Sequence, residues 1–254
     1  MPIVLAIFLG LVQGLAEFLP VSSSGHLILV QQVFGMPDDM MFFNILLHIA
    51  TLIAVLFVFR KRVWSLAKNP FGKQNRKMSL SLILATAITV GFVLLFNDFI
   101  ESTFTARVLP VTFIITAIVL MAVSMYSGKR QGHIGYGSAV ITGLAQGLAV
   151  IPGFSRSGFT ISAAMAGGVQ RERAAEFAFL MSIPIIIAAL VWEVARNPVS
   201  VSAIGWAPLV VAFATALLSG IFAIKFMMDI IKRVKLYWFS LYLILIAIVA
   251  LIVL

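Results

Sequence analysis

Six stretches of the chain run for about 20 residues with hardly a charge in them: 41–59, 78–97, 107–127, 174–195, 206–228 and 236–254. That is the length an α-helix needs to cross the hydrocarbon core of a bilayer. Two more apolar regions, 2–34 and 135–168, are cut near the middle. Pro20 and the run Ser22 to Gly25 interrupt the first; Pro152-Gly153 and the run Ser155 to Gly158 interrupt the second. The pieces on either side of each cut are too short to span. Each region therefore predicts a helix–break–helix hairpin that enters the bilayer and returns on the same side. Irregular backbone at that depth is tolerated only inside protein or against a wet cavity. The predicted fold is an all-α polytopic membrane protein with six transmembrane helices plus two re-entrant helix hairpins.

The composition agrees with this solvent. Only 11% of the 254 residues are charged, against roughly 25% in a soluble domain. The chain has no cysteine, which excludes disulfides and thiolate metal sites. Met1-Pro2-Ile3-Val4 carries no basic n-region, so the N-terminus reads as mature sequence rather than a signal peptide. The net charge of +9 reports topology, not nucleic acid. On the predicted layout, 15 of the 18 Lys and Arg fall on one face: Arg60 to Lys77, Lys129, Arg130, Arg171, Arg173, Lys225, Lys232, Arg233 and Lys235. Only Arg107 and Arg196 fall on the other, with Asp38, Asp39, Asp98 and Glu101. The positive-inside rule makes the basic face cytoplasmic. Both termini and the mouth of the first hairpin then lie outside.

The two hairpins are related. Aligned without gaps, residues 10–26 and 143–159 match at 9 of 17 positions. The following spans match with one residue of slip, Phe43, Leu46, Ile49, Ile53, Ala54 and Leu56 against Phe177, Leu180, Ile183, Ile187, Ala188 and Leu190. Each half is one hairpin plus three spans, and an odd number of crossings sets the halves in opposite orientation. The chain thus reads as a single membrane domain over 1–254 built from inverted-topology repeats, 1–127 and 134–254. Such repeats can place broken helices around a polar site at the midplane.

The positions where the copies differ carry the chemistry. Glu17 stands opposite Val150, Ser23 opposite Arg156, and His26 opposite Phe159. A carboxylate at membrane depth costs several kcal/mol unless paired, hydrated or bound to a cation. Glu17 could simply pair with Arg156 and hold the hairpins together. It could instead be a base or, with the Gln13 carbonyl one turn earlier on the same face, a ligand for Mg²⁺ or Ca²⁺. His26 either caps within the hairpin or serves as a general acid–base. Among Ser22, Ser23 and Ser24 at least one is expected to be an N-cap. Ser23 is the candidate hydroxyl to contact or attack substrate. Arg156, with Ser155, Ser157, Thr160 and a helix N-terminus, makes an anion site. A cation, a guanidinium, hydroxyls and an imidazole together describe a pyrophosphate or phosphoryl site. No nucleotide-binding glycine loop accompanies it. Asn44, His48 and Thr51 share a face, and His48 reads as an interior or supporting histidine. Glu176 and Glu193, near span ends, are expected to meet water or a basic neighbour.

Gln13-x-x-x-Glu17, the run Pro20-Val21-Ser22-Ser23-Ser24-Gly25-His26 and Pro152-Gly153-Phe154-Ser155-Arg156-Ser157-Gly158-x-Thr160 resemble the undecaprenyl pyrophosphate phosphatase family linked to bacitracin resistance. The resemblance covers the whole chain. It implies removal of the terminal phosphate from a polyprenyl pyrophosphate lipid at the outer face of the bacterial plasma membrane, which regenerates the lipid carrier for cell-wall glycans. It implies a metal-associated or basic role for Glu17, with Gln13 in the first motif place, where many members have Glu. It also implies catalytic roles for Ser23 and His26, and phosphate contacts for Ser155, Arg156 and Thr160. The Ser-Gly-His and Ser-Arg fragments are also similar to the type-2 phosphatidic-acid phosphatases, but no His follows Arg156 closely enough to complete that pattern. Two other functions fit the layout: a carrier that flips a polyprenyl phosphate, and a membrane scaffold, against which the costly Glu17, His26 and Arg156 argue. A homodimer is compatible with either active reading.

Overall fold

A computed structural model describes residues 1–36, 40–125, 132–196, 205–233 and 235–254. Of the charges named above, Asp38, Asp39, Lys129 and Arg130 lie outside the described residues, as do the side chains of Glu193 and Arg196. Among the described residues the chain is helical, and the single β contact is an isolated bridge between Gly132 and Val169. Four helices are long and apolar enough to cross a membrane: Arg76–Leu95, Ala106–Met125, Arg171–Trp192 and Trp206–Ile230. They are the cores of α5 (Arg76–Leu95), α7 (Leu109–Met125), α10 (Arg171–Arg196) and α11 (Trp206–Ile230). Two further expected spans are shorter, α3 (Met41–Val58) and α12 (Tyr237–Val253). At 18 and 17 residues they lie at the lower end of what a bilayer requires.

One expectation is revised. The loop expected over 60–77 opens with a helix, α4 (Arg60–Lys68), set at 79° to α3 across Phe59. Val63, Trp64, Leu66 and Ala67 between basic ends give it helical amphipathicity, and Trp64 is 70% exposed. Its four basic side chains disfavour continuing into hydrocarbon, so the helix turns aside. A second short helix, α6 (Asn97–Ser102), follows α5. Glu176 meets a basic neighbour as expected, accepting from Arg62 Nε at 3.1 Å.

Both hairpins form. The first is α1 (Ile3–Phe18) and α2 (Ser23–Val33); the second is α8 (Tyr136–Leu148) and α9 (Arg156–Ala166). At 1.5 Å per residue these helices reach only about 16–24 Å. The ends of the second hairpin are tied together: Gly132 N donates to Gly168 O at 3.1 Å, and Gln170 N donates to Gly132 O at 3.1 Å.

The short helices are held by small residues. Gly10 and Gly14 lay α1 directly on α11, and a Cβ at Gly14 would stand 2.5 Å from the Ala216 carbonyl oxygen. Gly143 and Gly147, the matching pair, lay α8 on α5, where a Cβ at Gly143 would stand 2.7 Å from the Ala85 carbonyl oxygen. Such spacing lets backbones approach where lipid supplies no hydrophobic drive. Each hairpin thus leans on a long helix from the other half of the chain. The helices α7 and α12 pack together, as do α3 and α10.

Gly14→Ala should lower stability by about 1–3 kcal/mol through overpacking. Gly91→Ala, on the exposed side of α5 with nothing within 4 Å of its added methyl, should leave stability unchanged or raise it. Thermal unfolding in detergent reads both.

Candidate active site

The two breaks touch. A Cβ at Gly25 would stand 2.9 Å from Gly153 Cα, and one at Gly158 would stand 3.3 Å from Pro20 Cβ. Ser157 Oγ donates to the Leu19 carbonyl at 2.9 Å, so the second hairpin satisfies a backbone group left open by the first. The helix α7 backs this contact. Phe113 lies against Gly25, and Thr116 Oγ1 accepts from Ser155 N at 3.4 Å. Gly153 has φ +86° and lies against Thr112 Oγ1, a combination that leaves no room for a side chain.

The returning helices begin alike. Ser22 Oγ accepts from Gly25 N at 3.2 Å, and Ser155 Oγ accepts from Gly158 N at 3.1 Å. Both serines are therefore N-caps, as expected for at least one of the first group. Ser22 holds φ +72°, the one non-glycine with positive φ among the described residues. Strain of this kind costs about 1–3 kcal/mol and persists where the surroundings enforce it. The caps place Ser23 and Arg156 as the first residues of α2 and α9, side by side at the junction.

Both converge on Glu17, whose side chain is 2% exposed at the last turn of α1. Arg156 Nη2 donates to Glu17 Oε1, forming an ion pair between the hairpins. Ser23 Oγ donates to Glu17 Oε2 at 2.6 Å, and Gln13 Nε2 donates to the same oxygen at 3.1 Å. Gln13 Nε2 also reaches His48 Nδ1 at 3.1 Å. An amide nitrogen only donates, so His48 Nδ1 accepts and its proton sits on Nε2. Thr51 Oγ1, 3.5 Å from Gln13 Nε2, completes this side. His48 and Thr51, which sequence reasoning left as a shared face on α3, therefore line the carboxylate site. Asn44 faces elsewhere, accepting from Gln31 at 2.9 Å.

Other expected residues are placed differently. His26 Nδ1 lies 2.7 Å from the Ser22 carbonyl and Nε2 lies 2.8 Å from Tyr242 Oη. A carbonyl only accepts, so Nδ1 carries the proton and Nε2 accepts from the tyrosine. The ring stacks on Tyr242 with planes 4° apart and makes no hydrogen bond to Ser23, Glu17 or Arg156. Sequence reasoning missed Tyr242; its signal was one of three hydroxyls in a mostly apolar helix, with Tyr237 and Ser240, and no hint of its partner. Ser24 Oγ reaches only Ser22 Oγ, at 3.5 Å. Thr160 Oγ1 is turned back to the Arg156 carbonyl at 2.7 Å. The hydroxyls of Ser155, Ser157 and Thr160 thus hold backbone in this arrangement.

These residues do not fit a resident divalent cation. Such an ion takes six or more oxygens, in part carboxylates. The one carboxylate here is already paired with a guanidinium and accepts two further hydrogen bonds. Gln13 turns its amide nitrogen, not its oxygen, toward Glu17, and its buried Oε1 has no hydrogen-bond partner. With that single spare oxygen, waters or substrate phosphates would have to supply the rest of a coordination shell. Among the described residues no group of three or more His, Asp or Glu could hold a metal ion.

Fold and site define a multi-pass membrane protein with a buried carboxylate–guanidinium–hydroxyl centre between two broken helices. Sequence comparison gives the particular family. The profile described as bacitracin resistance protein BacA matches residues 6–249, and the chain belongs to that family. Relatives named undecaprenyl-diphosphatase include one from Carboxydothermus hydrogenoformans, 42% identical over 93% of this chain and 92% of its own. Another, from Treponema denticola, is 43% identical over 96% and 94%. A third, from Alkaliphilus metalliredigens, is 39% identical over 93% of each.

Tyr242→Phe leaves the His26 acceptor unsatisfied and should cost about 1–3 kcal/mol. Thermal unfolding and the histidine ring ¹⁵N shifts check this, the latter moving for His26 while His48 stays unchanged.

Proposed function

We propose that this chain is an undecaprenyl-diphosphatase, a membrane phosphatase that releases inorganic phosphate from undecaprenyl diphosphate and leaves undecaprenyl phosphate. The observation that carries the reading is the Ser23–Glu17–Arg156 constellation at the hairpin junction. Here a nucleophile, a base and an anion-binding fork meet at one buried carboxylate, in a chain whose full-length relatives bear that enzyme's name. The relatives' names favour hydrolysis over lipid carriage. Recycling of the carrier lipid and resistance to bacitracin follow from the same activity.

At rest the Glu17 carboxylate occupies the Arg156 guanidinium. An arriving diphosphate, with more charge and a geometry suited to the planar fork, takes over the guanidinium. Glu17 then accepts the proton of Ser23 Oγ, its neighbour at 2.6 Å. The Ser23 oxygen bonds to the terminal phosphorus, and the bond from that phosphorus to the bridging oxygen breaks. The electron pair leaves with undecaprenyl phosphate. Water then attacks the phosphoserine, Glu17 returns its proton to the departing Ser23 oxygen, and inorganic phosphate leaves carrying the water's oxygen and protons. Gln13, donating to Glu17 and His48, holds the carboxylate toward Ser23. His26 and Tyr242 position the start of α2.

The reading includes the finer topology: six spans and two re-entrant hairpins in inverted repeats, with the termini and active-site mouth outside and the basic face cytoplasmic. Two observations support it. The contact of α1 with α11 mirrors that of α8 with α5, and the Ser22 and Ser155 caps coincide under the same 133-residue offset. The basic residues of α4, of the start of α10 and of the end of α11 gather at alternate helix ends, as cytoplasmic residues should.

Arg156→Ala and Glu17→Ala should each reduce phosphate release from undecaprenyl diphosphate by about a hundredfold or more, as expected when a preorganised charge is lost. Ser24→Ala should stay near wild type. Full activity in both of the first two would sink the assignment.

A further inference from the structure

We infer that the pocket between the start of α5 and the start of α8 is a binding site for the phosphate-bearing headgroup of an anionic membrane lipid. The pocket has a volume of about 500 Å³ and is lined by Phe71, Lys73, Arg76, Lys77 and Tyr136. Three cations converge there and no acid lines the wall. The ion pairs found among the described residues involve His48, Arg62 and Arg156, and none of these three. All three are exposed, so water screens their mutual repulsion, and an anion placed among them is attracted by each. Arg76 and Lys77 also open α5, so the positive end of that helix adds to their field.

The pocket is built rather than draped. Asn75 is 5% exposed. Its Nδ2 donates to the Ser65 carbonyl at 2.8 Å and to the Asn69 carbonyl at 3.1 Å. Its Oδ1 accepts from Arg62 Nη1 at 3.0 Å, and Arg62 is anchored in turn on Glu176 of α10. This network folds residues 69–75 back over α4 and fixes Phe71 and Lys73 opposite Tyr136. Lys77 Nζ would lie 3.9 Å from a Cβ at Gly135, at the threshold of α8.

Position and wall chemistry select the occupant. Arg76 begins an apolar span candidate, so the pocket lies where hydrocarbon gives way to headgroups. Phe71 and Tyr136 are 63% and 52% exposed, as aromatic residues are at that level. Basic pockets between helix ends at this level suit lipid phosphates. Exposed rings suit the glycerol and upper acyl carbons of a lipid better than a free ion, which would need a closed ring of donors. The site is separate from the catalytic junction: Tyr136 opens α8, and Arg156 lies beyond its other end, about 20 Å along 13 residues.

The test uses the purified full chain in detergent, titrated with short-chain phosphatidylglycerol or phosphatidylcholine and read by native mass spectrometry. The wild type should retain one phosphatidylglycerol in preference to phosphatidylcholine. K73Q/R76Q/K77Q should weaken that retention by about tenfold or more while keeping its melting temperature and phosphate release. The charge-preserving K73R/R76K/K77R should retain the lipid. Equal phosphatidylglycerol binding by wild type and the glutamine variant would overturn the site. Displacement of the lipid by millimolar inorganic phosphate would overturn the lipid as its ligand.

Discussion

A buried carboxylate and the half-buried guanidinium paired with it, between two broken helices, are the constraint around which this molecule is arranged. Neither charge is tolerable alone at that depth, since removing one partner leaves the other uncompensated at a cost of several kcal/mol. Glu17 ends one helix and Arg156 begins another, 139 residues later. Their meeting fixes where each hairpin must stop. It also fixes where the short helices must lie, and so explains why backbone contact replaces side-chain packing at Gly10, Gly14, Gly143 and Gly147. The Ser157 bond to the Leu19 carbonyl and the approach of Gly25 to Gly153 hold the two breaks in register.

The same pair links packing to chemistry. A buried carboxylate that accepts from a hydroxyl, an amide and a guanidinium is fully satisfied and therefore quiet. In the proposed function it becomes a base when a more highly charged anion draws the guanidinium away. On that proposal the ion pair with Arg156 holds Glu17 in check until substrate arrives. The strained Ser22 that places Ser23 against Glu17 is the local cost of that arrangement.

Much of this was legible in the residues. The apolar runs and their interruption by Pro, Gly and Ser mark spans and hairpins because bilayer thickness leaves few alternatives. Glu17, Ser23 and Arg156 stood out because they break the resemblance between two copies of one segment. What was not legible depends on contacts distant in sequence or on orientation. Tyr242 meets His26 across 216 residues. Gln13 could offer its oxygen or its nitrogen to Glu17, and only the fold decides for the nitrogen. Ser155, Ser157 and Thr160 are expected as phosphate contacts, yet in the fold their hydroxyls bond backbone at the junction and, for Ser155 and Ser157, each other. The helix α4 was hidden by its charges, which read as a loop until the break at Phe59 set it at an angle to the span.

In the proposed function Glu17 stands in for the substrate on Arg156 rather than holding substrate itself. Binding of a non-hydrolysable methylene-bridged analogue of undecaprenyl diphosphate to wild type and to Glu17→Gln tests it directly. Tighter binding to the glutamine variant is expected, because the competing carboxylate charge is gone, together with loss of phosphate release. Weaker binding to that variant would contradict it, and would mean that the carboxylate grips the diphosphate side through a cation.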